Sequence, residues 1–260
     1  MTSTSTQGGR GTSARPSTGA AELSAGAATT SPPRRPALSG IAFAVLVVVG
    51  FFLSGANTPD ATAADQEWTT WADGNELKGR IGAFLTLIAG FFFLHFAGTI
   101  RTVLKTAEAT VPGSAQLART AFAGAVTGIT GITMSILTIA GASAEGADAD
   151  PVVIRTIAST AVAPFLVAAM GFSALLAAAG VVMLRSGVFA PWIGIVAVVG
   201  AAAFLLTFCT LLAGPGEDSW FGYGFFPGFL ALATWSIATS TARHRSVATT
   251  TREPSATSAA

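Results

Sequence analysis

His95, Cys209 and His244 are the side chains to which nucleophilic, proton-relay or metal chemistry would fall first, and their spacing leaves little of it open. Cys209 is the single cysteine and the two histidines lie in distant segments. A usual zinc site needs three or four His, Cys or carboxylate ligands, so the set falls short. No disulfide can close within one chain, and bis-histidine haem ligation would need His244, which sits in a polar tail. Glu145, Asp148 and Asp150 have the spacing of a cation site but lack the Gly and distal Glu of a calcium loop, and they read as a solvated acidic loop. No Ser–His nucleophile motif or Gly-rich phosphate loop is present, and the apolar runs hold no carboxylate pair. The expectation is a chain without catalytic residues, cofactor-binding residues or metal ligands.

Other polar positions fall inside apolar runs. His95 lies six residues before Arg101, about 9 Å along a helix. An imidazole there reads either as an interfacial, internally bonded side chain or as a proton-sensing or ligand-binding group. Thr127, Thr130, Thr133 and Thr138, with Thr210 in a later run, can bond to helical carbonyls or line a polar path. Helical spacing puts Thr127 and Thr138 near one face but turns Thr133 elsewhere. Beside them Gly124, Gly128, Gly131 and Ser135 recur at spacings of 4, 3 and 4. Such a small-residue stripe lets two backbones approach closely, within the chain, in a homo-oligomer or against a membrane protein partner.

The elements that carry these residues are six runs free of Asp, Glu, Lys and Arg: 37–56, 81–100, 121–142, 164–184, 191–214 and 221–238. A helix needs about 20 apolar residues to cross a bilayer core. Apolar residues make up 51% and charged ones 10% of the chain, against about 25% charged in a soluble domain. The runs lack the alternation of barrel strands, so the expected fold is an all-α bundle of six transmembrane spans. Residues 1–36, rich in Ser, Thr, Gly, Ala and Pro, and residues 241–260 read as disordered tails. Arg34-Arg35 before the first run, with Ala61-Thr62-Ala63 after it, imitates an export signal. At about 20 residues that run exceeds a signal h-region and reads as an anchor.

Cationic residues concentrate on the cytoplasmic side of membrane proteins. With both termini inside, the inner segments hold eleven of the fourteen Lys and Arg and three of the thirteen acids. The inner face then carries about +8 and the outer about −7 by this rule, under an overall charge of only +1. A bacterial inner membrane, with lipid as the obligatory partner, is the expected setting, and nucleic-acid binding gains no support. Trp68, Trp71, Trp220 and Tyr223 fall near the outer boundary and Trp192 and Trp235 near the inner one, as headgroup anchors. Residues 65–73 read as a segment lying flat on the outer leaflet or as a lid. Asp150-Pro151 reads as a cap and first helical residue, with a bend near Pro164 and a kink at Pro227.

Leu38-Ser39-Gly40, Trp71-Ala72-Asp73 with Lys78 and Arg80, and the segment Arg185-Ser186-Gly187-Val188-Phe189-Ala190-Pro191-Trp192-Ile193-Gly194 resemble uncharacterised multi-pass membrane proteins of actinobacteria, over roughly residues 37 to 240. Twelve Arg against two Lys suits a high-GC genome. The resemblance implies no established activity. Three functions stay open: a non-catalytic membrane protein acting through lipid or protein contacts, a small-solute transporter or channel lined by Thr127, Thr130 or Thr210, and a membrane-embedded enzyme.

Overall fold

Forty-four residues, Asp65–Glu108, form one unbroken helix, about 66 Å long at 1.5 Å per residue and roughly twice the thickness of a bilayer core. Its middle is the charge-free run 81–100, and charged residues lie on the portions that extend beyond it at both ends. The computed structural model describes residues 36–54, 58–60, 62–144, 146, 149–213 and 221–250, with side chains from 38 to 207 and from 224 to 242 within those ranges. These residues are all-helical: α1 (Pro36–Ser54), α2 (Asp65–Glu108), α3 (Leu117–Ala144), α4 (Pro151–Thr160), α5 (Val162–Ser186), α6 (Pro191–Ala213) and α7 (Phe221–Thr250). Three stretches, α2, α3 and the joined 151–186, are long and apolar enough to cross a membrane.

Local chemistry sets the boundaries. The Asp150 carboxylate accepts the Val152 N–H at 2.8 Å and Pro151 opens α4. The helix breaks at Ala161 rather than at Pro164 itself, because a proline ring crowds the carbonyl four residues back and leaves it without its donor; here that carbonyl belongs to Thr160. Gly187, at φ 65°, closes α5 in a left-handed cap whose N–H donates to the Met183 carbonyl. Pro191 then starts α6. Helix α7 remains a single helix through Pro227 and continues to Thr250, past the boundary expected at 240. The tail expected over 1–36 and the last ten residues fall outside the described residues, apart from Pro36.

Helices α1, α2, α3, α5, α6 and α7 follow one another round a ring that α1 closes against α7, and α4 lies against the N-terminal part of α2 and the C-terminal end of α3. The seams are made of small residues. Gly124, Gly128 and Gly131 are buried against α5, where a Cβ at Gly124 would stand 2.6 Å from the Gly171 carbonyl oxygen and one at Gly131 2.6 Å from the Ala168 nitrogen. The stripe proposed as a homo-oligomer or partner surface is thus occupied within the chain: α3 and α5 already meet backbone to backbone along it. Between α5 and α6 the Ser173 hydroxyl donates to the Ala201 carbonyl at 3.0 Å.

Two aromatic expectations need correction. Trp68 and Trp71, 2% and 7% exposed, are not headgroup anchors on a flat-lying segment. They belong to the N-terminal extension of α2 and pack edge to face against each other at 5.9 Å, in a small second core with Ala72, Ala142, Ile154 and Ala158. An indole buries more area against a docked helix than against a headgroup layer, and α4 supplies that helix. Trp235 is likewise fully buried, edge to face on Phe96 at 5.6 Å. Trp192 is exposed, whereas Trp220 and the Tyr223 side chain lie outside the described residues.

Candidate functional site

The interior of the ring is filled with phenyl rings. Phe43 of α1 meets Phe93 of α2 at 4.3 Å, Phe93 meets Phe172 of α5 at 5.8 Å, and Phe172 meets Phe204 of α6 at 5.5 Å. The stack continues outward through Phe204 to Phe225 of α7, at 5.5 Å, and to Phe165, 4.0 Å from Phe225. Tilted and edge-to-face pairs at such separations are favourable arrangements of ring quadrupoles. Phe43, Phe93, Phe172 and Phe204 are among the largest fully buried side chains. Sequence reading identifies each of them only as apolar, since nothing in a single helix's pattern says which phenyl ring meets another.

Beside this stack a cavity of about 350 Å³ opens among α1, α3, the α4–α5 break and α7. Phe51, Ile132, Ile136, Ile139, Phe165 and Phe225 supply most of its wall, and Thr58 and Ser135 supply the hydroxyls. Phe165 and Phe225 also belong to the phenyl stack, so the cavity adjoins it. Ser135 is 2% exposed. Val162 and Phe226, which also line it, are exposed.

The polar positions singled out in the sequence do not converge here. His95, Thr127 and Thr130 are exposed on the outside of the bundle, so Thr127 and Thr130 line no interior path. The reason lies in α3 itself: its glycine face is taken up by α5, which turns the opposite, hydroxyl-bearing face outward. Thr133 is half-buried between the two, and the Thr138 hydroxyl donates to the Met134 carbonyl of its own helix at 2.9 Å. The side chains of Thr210 and Cys209 lie outside the described residues. No three His, Cys, Asp or Glu side chains come together among the described residues.

The α2–α3 loop and the C-terminal half of α7 carry two further polar features. Arg101, Lys105, Glu108 and Arg119 surround a recess of about 530 Å³ beneath the α2–α3 loop. Arg101 lies over the Phe122 ring at 5.2 Å, and the Glu108 carboxylate accepts the Ala118 N–H at 3.2 Å, capping α3. The loop reaches that geometry through Gln116, at φ 87°. Nearby on α7 the Trp235 indole N–H and the Ser236 and Ser240 hydroxyls are buried without partners. Sequence reading passed these serines over, although Ser236, Thr239 and Ser240 recur at helical spacing on an otherwise apolar stretch.

At the other end of α2, Arg155 of α4 bonds the Asp65 carboxylate at 2.7 Å and the Ala63 carbonyl at 2.9 Å, tying α4 to the start of α2. Just before it, the Asp60 carboxylate accepts the Thr62 backbone N–H and hydroxyl, both at 2.9 Å. The backbone bond chiefly, and the hydroxyl bond with it, hold the Asp60 carboxyl below its ordinary acidity range. No protein-family model, curated protein or solved structure matches this chain.

Proposed function

We propose that the chain is a six-span protein of the bacterial inner membrane, with both termini cytoplasmic, that works without catalysis through contacts with lipid or with other membrane proteins. The phenyl stack carries this reading. A transporter needs a site near mid-membrane between moving halves, whereas here rings from five helices fill the space between the helices. In this reading α1, α2, α3, α5, α6 and α7 are the spans and α4 rests on the outer surface. At 19 residues α1 is about 28 Å long and just crosses a core of about 30 Å. The eleven inner cations oppose the ten outer acids across that core. The resemblance to actinobacterial multi-pass proteins belongs to the same proposal.

The outer cavity favours one second reading, a small-solute transporter caught with its outer half open. The two are separated by cysteine accessibility and flux. In a Cys209→Ala background, a cysteine at Asp73 should react with a membrane-impermeant maleimide from outside and one at Lys105 or Arg185 only from inside. The reverse pattern sinks the topology. Proteoliposomes loaded with a mixture of small cations and metabolites should show no leak above protein-free vesicles, and a reproducible solute-selective flux would overturn the non-transport reading.

A further inference from the structure

We propose that the recess beneath the α2–α3 loop binds the phosphate group of an anionic phospholipid. The proposal rests on the six-span reading above and names the lipid class that such a protein holds at its inner face. Arg101 directly follows the charge-free run 81–100, and Arg119 stands two residues before the run 121–142. In that reading both cations lie where hydrocarbon gives way to headgroups, and Lys105 lies one helical turn beyond, about 6 Å along α2.

Three cations, Arg101, Lys105 and Arg119, line this recess of about 530 Å³ with a single acid, Glu108, which leaves a surplus of two positive charges. Arg101, Lys105 and Glu108 recur at intervals of 4 and 3, which puts them on one face of α2. Arg119 arrives from the first turn of α3. All three cations are exposed, and none forms an ion pair among the described residues. Arg80 and Arg155, by contrast, have the carboxylates of Glu76 and Asp65 at 2.6 and 2.7 Å. The Glu108 carboxylate is turned to the Ala118 N–H. The N–H groups of Leu117, Arg119 and Thr120 donate to the carbonyls of Ser114 and Gln116. With the first turn of α3 satisfied in this way, the side chains and not the helix end hold the anion.

A phosphate suits this arrangement. Guanidinium groups pair with phosphate oxygens in bidentate fashion, and Lys adds a point charge. Tetrahedral phosphate presents oxygens to both helices at once, whereas the two oxygens of a carboxylate lie in one plane. Arg101 is already held over the Phe122 ring at 5.2 Å, so less side-chain freedom is lost on binding. A diacyl lipid adds what free phosphate lacks, because its chains stay in hydrocarbon beside the two runs while its phosphate reaches Arg101 and Arg119. Basic pockets between transmembrane helices attract anionic headgroups in this manner. A zwitterionic lipid would bring its own cation toward three others.

The test uses the full chain in phosphatidylcholine nanodiscs containing a small fraction of phosphatidylglycerol, with the retained lipids counted by native mass spectrometry. Phosphatidylglycerol should be retained well above its share of the bilayer. Lys105→Gln and Arg119→Gln should each lower that preference about fivefold, the loss expected for one cation near an anionic surface, at an unchanged melting temperature. Lys105→Arg should retain it. Arg185→Gln removes a cation outside the recess and should leave the preference intact. The site is overturned if no preference exists, if both recess variants keep it, or if the Arg185 variant loses as much, since general charge attraction then suffices. Glycerol phosphate that displaces the lipid at equal concentration would overturn a lipid as the source of the phosphate. Nanodiscs expose both faces, so these outcomes do not depend on orientation, whereas a reversed maleimide pattern overturns the membrane reading alone.

Discussion

Arg155 and Asp65 stand 90 positions apart in the chain and 2.7 Å apart in space, Nη2 to Oδ1. The same nitrogen bonds the Ala63 carbonyl, so one guanidinium anchors α4 to both the loop before α2 and the helix's first residue. Asp65 is well exposed, and such a pair contributes about 1 kcal/mol or less. The value of the contact is positional: it holds α4 over Trp68 and Trp71.

Arg155→Ala should therefore cost the whole protein about 1 kcal/mol or less while sharply raising amide exchange in residues 151–160. Asp65→Asn should have a smaller effect, because the Ala63 carbonyl remains. Hydrogen exchange read by mass spectrometry decides this, and unchanged protection of α4 in the Arg155 variant would refute the anchoring role.

Crowding along the α3–α5 seam predicts a contrast among glycines. Gly171→Ala drives a methyl into the backbone of Gly128, a rigid neighbour that cannot swing aside. Overpacking of this kind costs about 1–3 kcal/mol. A Cβ at Gly74 meets nothing within 4 Å, so Gly74→Ala in the outer extension of α2 should stabilise by roughly 0.5–1 kcal/mol through reduced chain entropy. Denaturation in bicelles separates the two, and equal effects would contradict the seam.

Phe172 touches both Phe93 and Phe204. Phe172→Ala should lose about 3–5 kcal/mol, as for large-to-small changes in a packed core. Phe91 points outward, and Phe91→Ala should cost little, since lipid replaces the contacts it loses. A similar loss at both positions would mean that the interior is not packed around Phe172.

His95→Ala and the pair Thr127→Val with Thr130→Val should leave the melting temperature at the wild-type value, because all three side chains face away from the bundle. A marked loss of folded protein in either variant would show that these side chains hold the bundle together.

The turn around Asp60 responds to acid. Its carboxyl titrates below the ordinary value of 3.8 in the folded chain, so the ionised form is favoured by folding, and the associated stability is present above that value and lost as pH falls through the lowered one. Carboxyl carbon NMR should show Asp60 titrating below the ordinary value of 3.8. In Thr62→Ala the titration should move back partway, because the backbone bond persists.

Chain composition was enough to determine that the molecule is helical and where most helices begin and end. Asp150 with Pro151, Gly187 and Pro191 act within one turn of the chain, through capping, a left-handed residue and a missing donor, and local effects of that kind are legible in local sequence. The ring, the phenyl stack, the cavity and the outward turn of His95 and Thr127 were decided only by the tertiary structure. In water an amphipathic pattern tells a helix which face to bury. In helices as apolar as these the two faces are nearly alike, so close packing of Gly128 on Phe172 and of Phe93 on Phe43 chooses instead, and that choice depends on surfaces brought together from different helices. Burial of Trp68 follows the same logic: its position suits a headgroup anchor, and only the arrival of α4, held by Arg155, makes it core.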